Sequence, residues 1–505
     1  MSSSVTAATR TEAHRRLGVP AVAFLIVAAS APLTVIAGGS TSAFSVTHVL
    51  GVPFGFVVLA ATLAVFAVGY AAMSRFVTNA GAFYSYVSQG IGRPAGIGAA
   101  VLALIAYNAM QVGIWGMFGF QVSSLIEAKT GLATPWWLWV LVGIAVVGVM
   151  GVNRVDLSAK VLGVLVALEF LVVIVFDVVA FANPAEELTA APITPASLFV
   201  PGVGAVLAFG IAAFMGFESA AIYGEESKNP KRTIPRATFL AVGVIGVFYT
   251  LSSWALAIAI GPEKIVDPAG IAPEEAGPPL FFNFVYSALG EIWVDVMSIL
   301  FITSVFAAVV SFHNAVARYA FSLGREGVLP RGLGAIRAES GAPWAGSVLQ
   351  TAIAVVVIVG FAIGEIGWDP AGGPFAVLTL FTWLTNLGAF GLVLLMMLVS
   401  AAVIGFFRRD RRDVGVGSRI IAPAISFLAL GTVWVLILMN WDVLLGQPTT
   451  TPTSFILPAV ILIPSIGAAL WGLRLRRARP EIYARIGHGA DTTDAPRLGA
   501  ETAQD

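Results

Sequence analysis

Apolar runs of about 20 residues recur from one end of this 505-residue chain to the other. That length matches what a bilayer core demands of a helix. With 58% apolar and 11% charged residues, the composition is far from that of a water-soluble domain. Counting such runs predicts twelve spans, over residues 19–44, 51–73, 95–125, 135–152, 159–181, 198–223, 237–260, 294–323, 344–364, 375–403, 420–440 and 453–473. The polar, Arg-bearing residues 1–18 lack the short apolar core of a cleavable signal, so they read as a cytoplasmic tail.

With the N-terminus inside and twelve spans, every one of the 28 Lys and Arg residues except Lys129 and Lys264 falls on the cytoplasmic side. Positive charge is retained there, and one span more or fewer would scramble the asymmetry. Both termini are therefore expected inside, with the polar residues 474–505 as a disordered tail. Residues 19–473 are expected to form one twelve-helix domain, with repeats at about 19–181 and 198–403 and two added helices over 420–473.

Apart from a Pro- and Glu-rich stretch over 261–290, the loops are too short to hold a soluble domain. No Walker loop, His-Glu-x-x-His or Gly-x-Ser-x-Gly motif is present, which argues against a nucleotide-driven pump and against a hydrolase. Cysteine is absent, so thiolate chemistry and Cys-ligated metals are excluded, and no cofactor is expected. A net charge of zero offers no footprint for nucleic acid. The expected partners are a small-molecule solute and the lipid bilayer.

Two spans carry breaks in corresponding places. Span 1 is interrupted at Ser30-Ala31-Pro32-Leu33-Thr34, where proline removes a helical hydrogen bond. Span 6 has Gly210 and Gly216 flanking Ala212, Ala213 and Phe214, with Phe217 and Glu218 next. Spans 1 and 6 are the first helices of two five-helix repeats of opposite topology if the chain is built as five plus five. Paired broken helices mark the binding site in such transporters.

The run Phe214-Met215-Gly216-Phe217-Glu218-Ser219, with Gly224-Glu225-Glu226 and Lys228-Asn229-Pro230 following, resembles the span 6 to 7 signature of the amino acid-polyamine-organocation permeases. Asn79-Ala80-Gly81-Ala82-Phe83-Tyr84 resembles the family's start of span 3, and Gly324-Arg325-Glu326-Gly327 its span 8 end. The resemblance implies an all-α, LeuT-like fold with helices 1 and 6 discontinuous, acting by alternating access. It also implies an amino acid at the midplane, its carboxylate on N–H groups of the outer half of helix 1 and its ammonium on carbonyl ends of helices 1 and 6. On this basis Ala31, Pro32, Leu33, Thr34, Ala212, Phe214, Gly216 and Phe217 are candidate substrate contacts. The family more usually has a Gly-Ser-Gly type sequence in the helix 1 gap, which this chain replaces. Alignment adds Gln111 and Phe312 to the contacts and places Trp383, Thr385 and Asn386 at an outer vestibule.

A carboxylate inside an apolar span is a candidate functional group by default. Glu218 beside the span 6 break is one, as a gate or coupling residue. Glu169 on span 5 is another, at a position where the resemblance places a lysine in several relatives, and it could hold a proton or help ligate a cation with Thr303 and Ser304, while Asp177 two turns on is expected near the outer interface. His313, the one histidine within a span, could relay protons. No metal site is expected beyond Na+ or H+ as coupling ion. The expected function is therefore secondary import or exchange of an amino acid or related amine across the plasma membrane. The alternatives are an uncoupled facilitator or channel, and an amino acid sensor that does not transport.

Overall fold

Without water to satisfy N–H and C=O groups, apolar runs of this length must bond internally, and they do so as helices. The structure, a computed structural model, describes residues 18–77, 82–153, 159–217, 227, 229–337, 341–369, 372–410, 412–447 and 449–487. Among the described residues, eleven helices are long and apolar enough to cross a membrane, and one shorter apolar helix stands where span 6 is expected. In chain order they are α1 (Val19–Thr47), α2 (Val52–Ser74), α3 (Arg93–Thr130), α4 (Trp136–Asn153), α5 (Ala159–Ala182), α6 (Val203–Phe214), α7 (Pro230–Ile260), α8 (Glu291–Glu326), α9 (Trp344–Gly364), α10 (Ala376–Arg409), α11 (Gly417–Met439) and α12 (Pro452–Ala478).

Local chemistry sets their ends. Proline occupies the first turn of α2, α3, α7 and α12, where the missing N–H is not needed. α7 begins at Pro230, seven residues before the span expected from hydropathy, so Pro235 sits inside the helix. Residues 261–290 are not open loop, since Pro262–Val266 and Pro278–Leu289 are helical and Gly277 N–H donates to Ser45 of α1.

The packing carries the repeat. α2 lies along α7, α3 along α8 and α4 along α9, so these three each meet the helix five places on. This is the pairing a pseudo-twofold axis in the membrane plane produces. α11 packs on α2, α6 and α10, and α12 runs along α3. Beyond α12 the chain is more ordered than a free tail. Pro480–Arg485 is helical, Ile486 is buried against Ile97 and Leu475, and Gly487 N–H reaches Glu326 at 3.1 Å.

The expected break in α1 is present, and α6 ends where its break is expected. α1 consists of Val19–Ala29, a turn through Ser30 and Ala31, and a second segment running from Pro32 through a π-helical stretch, Val35–Ser40, to Thr47. Ala31 is left-handed, with φ 48° and ψ 72°. α6 ends at Phe214, Met215 leaves the helix with ψ 136°, and Gly216 has φ 106°. The rest of the expected span 6, Glu218 included, lies outside the described residues.

Candidate functional site

The two breaks meet at a mostly apolar cavity of about 60 Å³, several times the space one water needs. Of the candidate contacts, Ala31, Thr34, Ala212 and Phe312 line it. Around them stand Ser30, Gly39 and Ser40 of α1, Met110 and Ile114 of α3, Val206, Phe209, Gly210 and Ala213 of α6, Ala308 of α8 and Thr385 of α10.

The remaining candidates face elsewhere, and helical periodicity explains most of them. On α3, Met110 and Ile114 share the cavity face, while Gln111, one position round, accepts a 2.6 Å hydrogen bond from Gln350 of α9. On α6, residues 206, 210 and 213 form the cavity stripe, and Phe214 turns to Phe56 and Tyr249 with ring centroids at 6.3 and 6.4 Å. Phe217 meets Phe66 edge-on at 6.0 Å, and Gly216 adds its backbone turn without lining the cavity. Pro32 and Leu33 are buried in the wall of the α1 break. Asn386 donates to the carbonyl of Thr382 rather than facing a vestibule.

On α8 the stripe Ser304, Ala308, Phe312 faces α1 and the cavity. Ser304 Oγ donates to Glu169 Oε2 at 2.7 Å and accepts from Thr34 Oγ1 at 2.9 Å. Thr303, one position off this stripe, donates to the carbonyl of Leu300 in its own helix. His313, off it on the other side, pairs with Ser347 of α9 at 2.7 Å. Glu169 is thus joined to Ser304 and not to Thr303 or His313.

Glu169 also accepts the N–H of Leu33 at 3.4 Å. Leu33 is the second residue of the restarted helix, and its N–H is one of the donors a helix start leaves unpaired. A carboxylate there is favoured by the helix dipole as well as by the hydrogen bond. Pro32 has no N–H, so the next donor along is Thr34 N–H, at the cavity itself. Across the gap, Tyr249 of α7 donates to the carbonyl and hydroxyl of Ser30 at 3.0 and 2.8 Å. Among the described residues, the cavity therefore sees two carbonyl ends, those of the first α1 segment and of α6, and one N–H end, that of the second α1 segment.

Sequence reading did not single out Tyr249, Met110, Ile114 or Ser40. The i, i+4 relation of Met110 to Ile114 was visible in the sequence, but the family resemblance pointed to Gln111 instead. Among the described residues, no group of three His, Asp or Glu converges as a metal site would require.

A helix broken in its middle and a second ending beside it, around one buried cavity among membrane-length helices, is the arrangement of a membrane transporter. The chain belongs to the amino acid permease family, whose sequence model matches residues 17–465. It is 25% identical over 388 residues to the branched-chain amino acid permease BcaP of Lactococcus lactis subsp. cremoris, covering 72% of this chain and 76% of that one. With the low-affinity putrescine importer PlaP of Escherichia coli K12 it shares 22% identity over 448 residues, 86% and 91% of the two chains. A probable agmatine/putrescine antiporter, AguD of Lactococcus lactis subsp. lactis, is 22% identical over about half of each chain, 48% and 49%.

Proposed function

We propose that this protein imports or exchanges an amino acid or related amine across the plasma membrane by alternating access, both termini lying in the cytoplasm. The observation that carries the reading is the convergence of opposite helix ends on one cavity. An α-carboxylate is attracted to the N–H end at Thr34, and an ammonium to the carbonyl ends at Ser30 and Ala213. The names of BcaP and PlaP support an amino acid or amine as cargo. The placement of nearly all Lys and Arg on one side of the predicted spans supports the orientation.

Coupling runs through Glu169, with H+ as the ion this geometry favours over Na+. Both recorded partners of its carboxylate are donors, the Ser304 hydroxyl and the Leu33 N–H, which suits the anion. Adding a proton weakens that cap on the second segment of α1, so proton loading and the tilt of a gating helix are linked. Glu218, which follows Phe217 in the sequence, is assigned a share of the coupling role.

Proteoliposomes with pH and sodium gradients imposed separately test this. The expected result is uptake driven by an inward proton gradient in wild type, and retained counterflow with lost accumulation in Glu169→Gln. If Glu169→Gln and Glu218→Gln both accumulate solute like wild type under every gradient, the coupling assignment is wrong. Unitary conductance in planar bilayers would indicate a channel, and binding without counterflow would indicate a sensor.

A further inference from the structure

Between the cavity and the end of the bundle that the Lys and Arg asymmetry assigns to the cytoplasm, four aromatic rings stand one against the next. Phe312 of α8 lines the cavity, and Tyr107 of α3 meets it with ring centroids 6.1 Å apart. Tyr319, two turns along α8 from Phe312, meets Tyr107 at 5.5 Å. Tyr84, from the short helix Ala82–Gly90 that precedes α3, meets Tyr319 at 6.1 Å. All four rings are buried. The column ends at the last residue of α8, where the Tyr84 hydroxyl donates to Glu326 Oε1 at 3.0 Å. Another face of the short helix carries Phe83 and Tyr86, which pack on Phe66 and Tyr70 of α2.

The same carboxylate oxygen holds the segment that follows α12. Gly487 N–H donates to Glu326 Oε1 at 3.1 Å, and Gln89 of the short helix donates to the carbonyl of Gly487 at 3.4 Å. Ile486, 2% exposed, is anchored against Ile97 and Leu475, and the Arg93 guanidinium lies 5.2 Å over the ring of Tyr483. Gly487 has φ 81°, and a Cβ built on it would stand 2.5 Å from that of Ser88. The segment therefore fits closely into a notch between the short helix, α3 and the end of α8. Glu326 is itself only 3% exposed, and a carboxylate taken out of water depends on its donors. One of these comes from the aromatic column and one from the segment.

We propose that residues 480–487 are a latch on the cytoplasmic exit of the cavity. Docked, the segment fixes Glu326 and, through Tyr84, the ring column beneath the cavity. Released, it takes a donor from a buried carboxylate, which then turns toward water and draws the Tyr84 hydroxyl with it. The rings of Tyr84, Tyr319 and Tyr107 are then free to turn aside, and the path from Phe312 opens. The hold is of a kind that releases. One buried isoleucine, one backbone N–H and one cation over a ring secure a short terminal segment, and local openings of so few buried contacts lie at the low end of a protein's stability range. The latch goes beyond the transport reading above and takes from it only that solute leaves the cavity at this end.

The chain has no cysteine, so Ser88→Cys combined with Gly487→Cys introduces a single pair that can cross-link. A disulfide needs Cβ atoms about 3.8 Å apart, which a small outward shift from the docked position supplies. Counterflow of labelled valine, lysine and putrescine is measured in proteoliposomes of this full-length variant, oxidised and then reduced. Whichever probe exchanges fastest is expected to slow at least fivefold on oxidation and to recover on reduction. Both states are the same polypeptide, so a folding defect does not enter the comparison. Ile486→Asp places a charge in the buried contact, and Gly487→Val puts a branched side chain at positive φ against Ser88. Each releases the segment by its own route and should raise exchange at least twofold. Equal exchange in the oxidised and reduced protein, failure of the pair to cross-link under oxidant, or unchanged exchange in both release variants overturns the latch while leaving transport intact. If wild type and the reduced pair exchange none of the probes, the transport reading itself fails, and the latch falls with it for want of an exit to govern.

Discussion

α1 and α6 are broken at corresponding places by different means. In α1 an alanine takes the left-handed conformation, which an L-residue adopts at a penalty of about 1–2 kcal/mol. Side chains from three other helices hold it there, with Tyr249 of α7 on Ser30, Glu169 of α5 on Leu33, and Ser304 of α8 on Thr34. In α6 the backbone makes the turn itself, because Gly216 reaches φ 106° without a Cβ to oppose it. Its flanking aromatics, Phe214 and Phe217, only pack. One break is thus held by polar groups, one of them titratable, and the other by conformational freedom. A proton can act directly on the first. The second offers a hinge.

The sharpest way to break this comparison is Glu169→Ala. It leaves the Leu33 N–H and the Ser304 hydroxyl without their acceptor, and each buried unsatisfied donor is worth about 1–3 kcal/mol. A clear fall in melting temperature in detergent is expected, with Glu169→Gln recovering most of it because the amide oxygen still accepts. If Glu169→Ala melts with wild type, α1 is not held by this carboxylate. Next in size is Gly216→Ala. A Cβ at this positive φ is expected to destabilise by roughly 1–2 kcal/mol. Transport should fall by more than stability alone explains, since a hinge is stiffened, and the ratio of counterflow rate to folded fraction measures this. An unchanged ratio would reduce Gly216 to a structural turn.

How much of this was legible depended on whether a signal was local. Pro32 and Gly216 announce breaks in the sequence because their effect on the backbone needs no partner. Glu169 was conspicuous because charge is rare inside an apolar span. Its role as a helix cap was not legible, since Leu33 lies 136 positions away. Tyr249 gave no signal, being one of nine tyrosines whose partner lies 219 positions distant. The facing of each helix was hidden for a related reason. A span that is apolar all round has no polar stripe to distinguish cavity from lipid or neighbour. Gln111, placed among the contacts by the family resemblance, instead accepts from Gln350 of α9.

Ser304 and Thr303 carry the finest test, because they are adjacent hydroxyls that sequence alone cannot rank. Ser304 sits between Thr34 and Glu169, accepting from one and donating to the other. Removing it in Ser304→Ala strands a donor and loosens the carboxylate, at a net loss of about 1–2 kcal/mol by the usual worth of such bonds. It should also shift the pH dependence of uptake, because the anion loses a donor that favours it. Thr303 donates to a carbonyl three residues back in its own helix, which is already bonded within the helix. Thr303→Val keeps the shape and should change stability by no more than about 0.5 kcal/mol, with an unaltered pH profile. Equal effects at the two positions would mean that α8 presents a different face to α5, and the coupling centre would have to move with it. A pH shift confined to Ser304→Ala would tie the chain from α8 through Glu169 to α1 to proton loading, which no stability measurement alone can do.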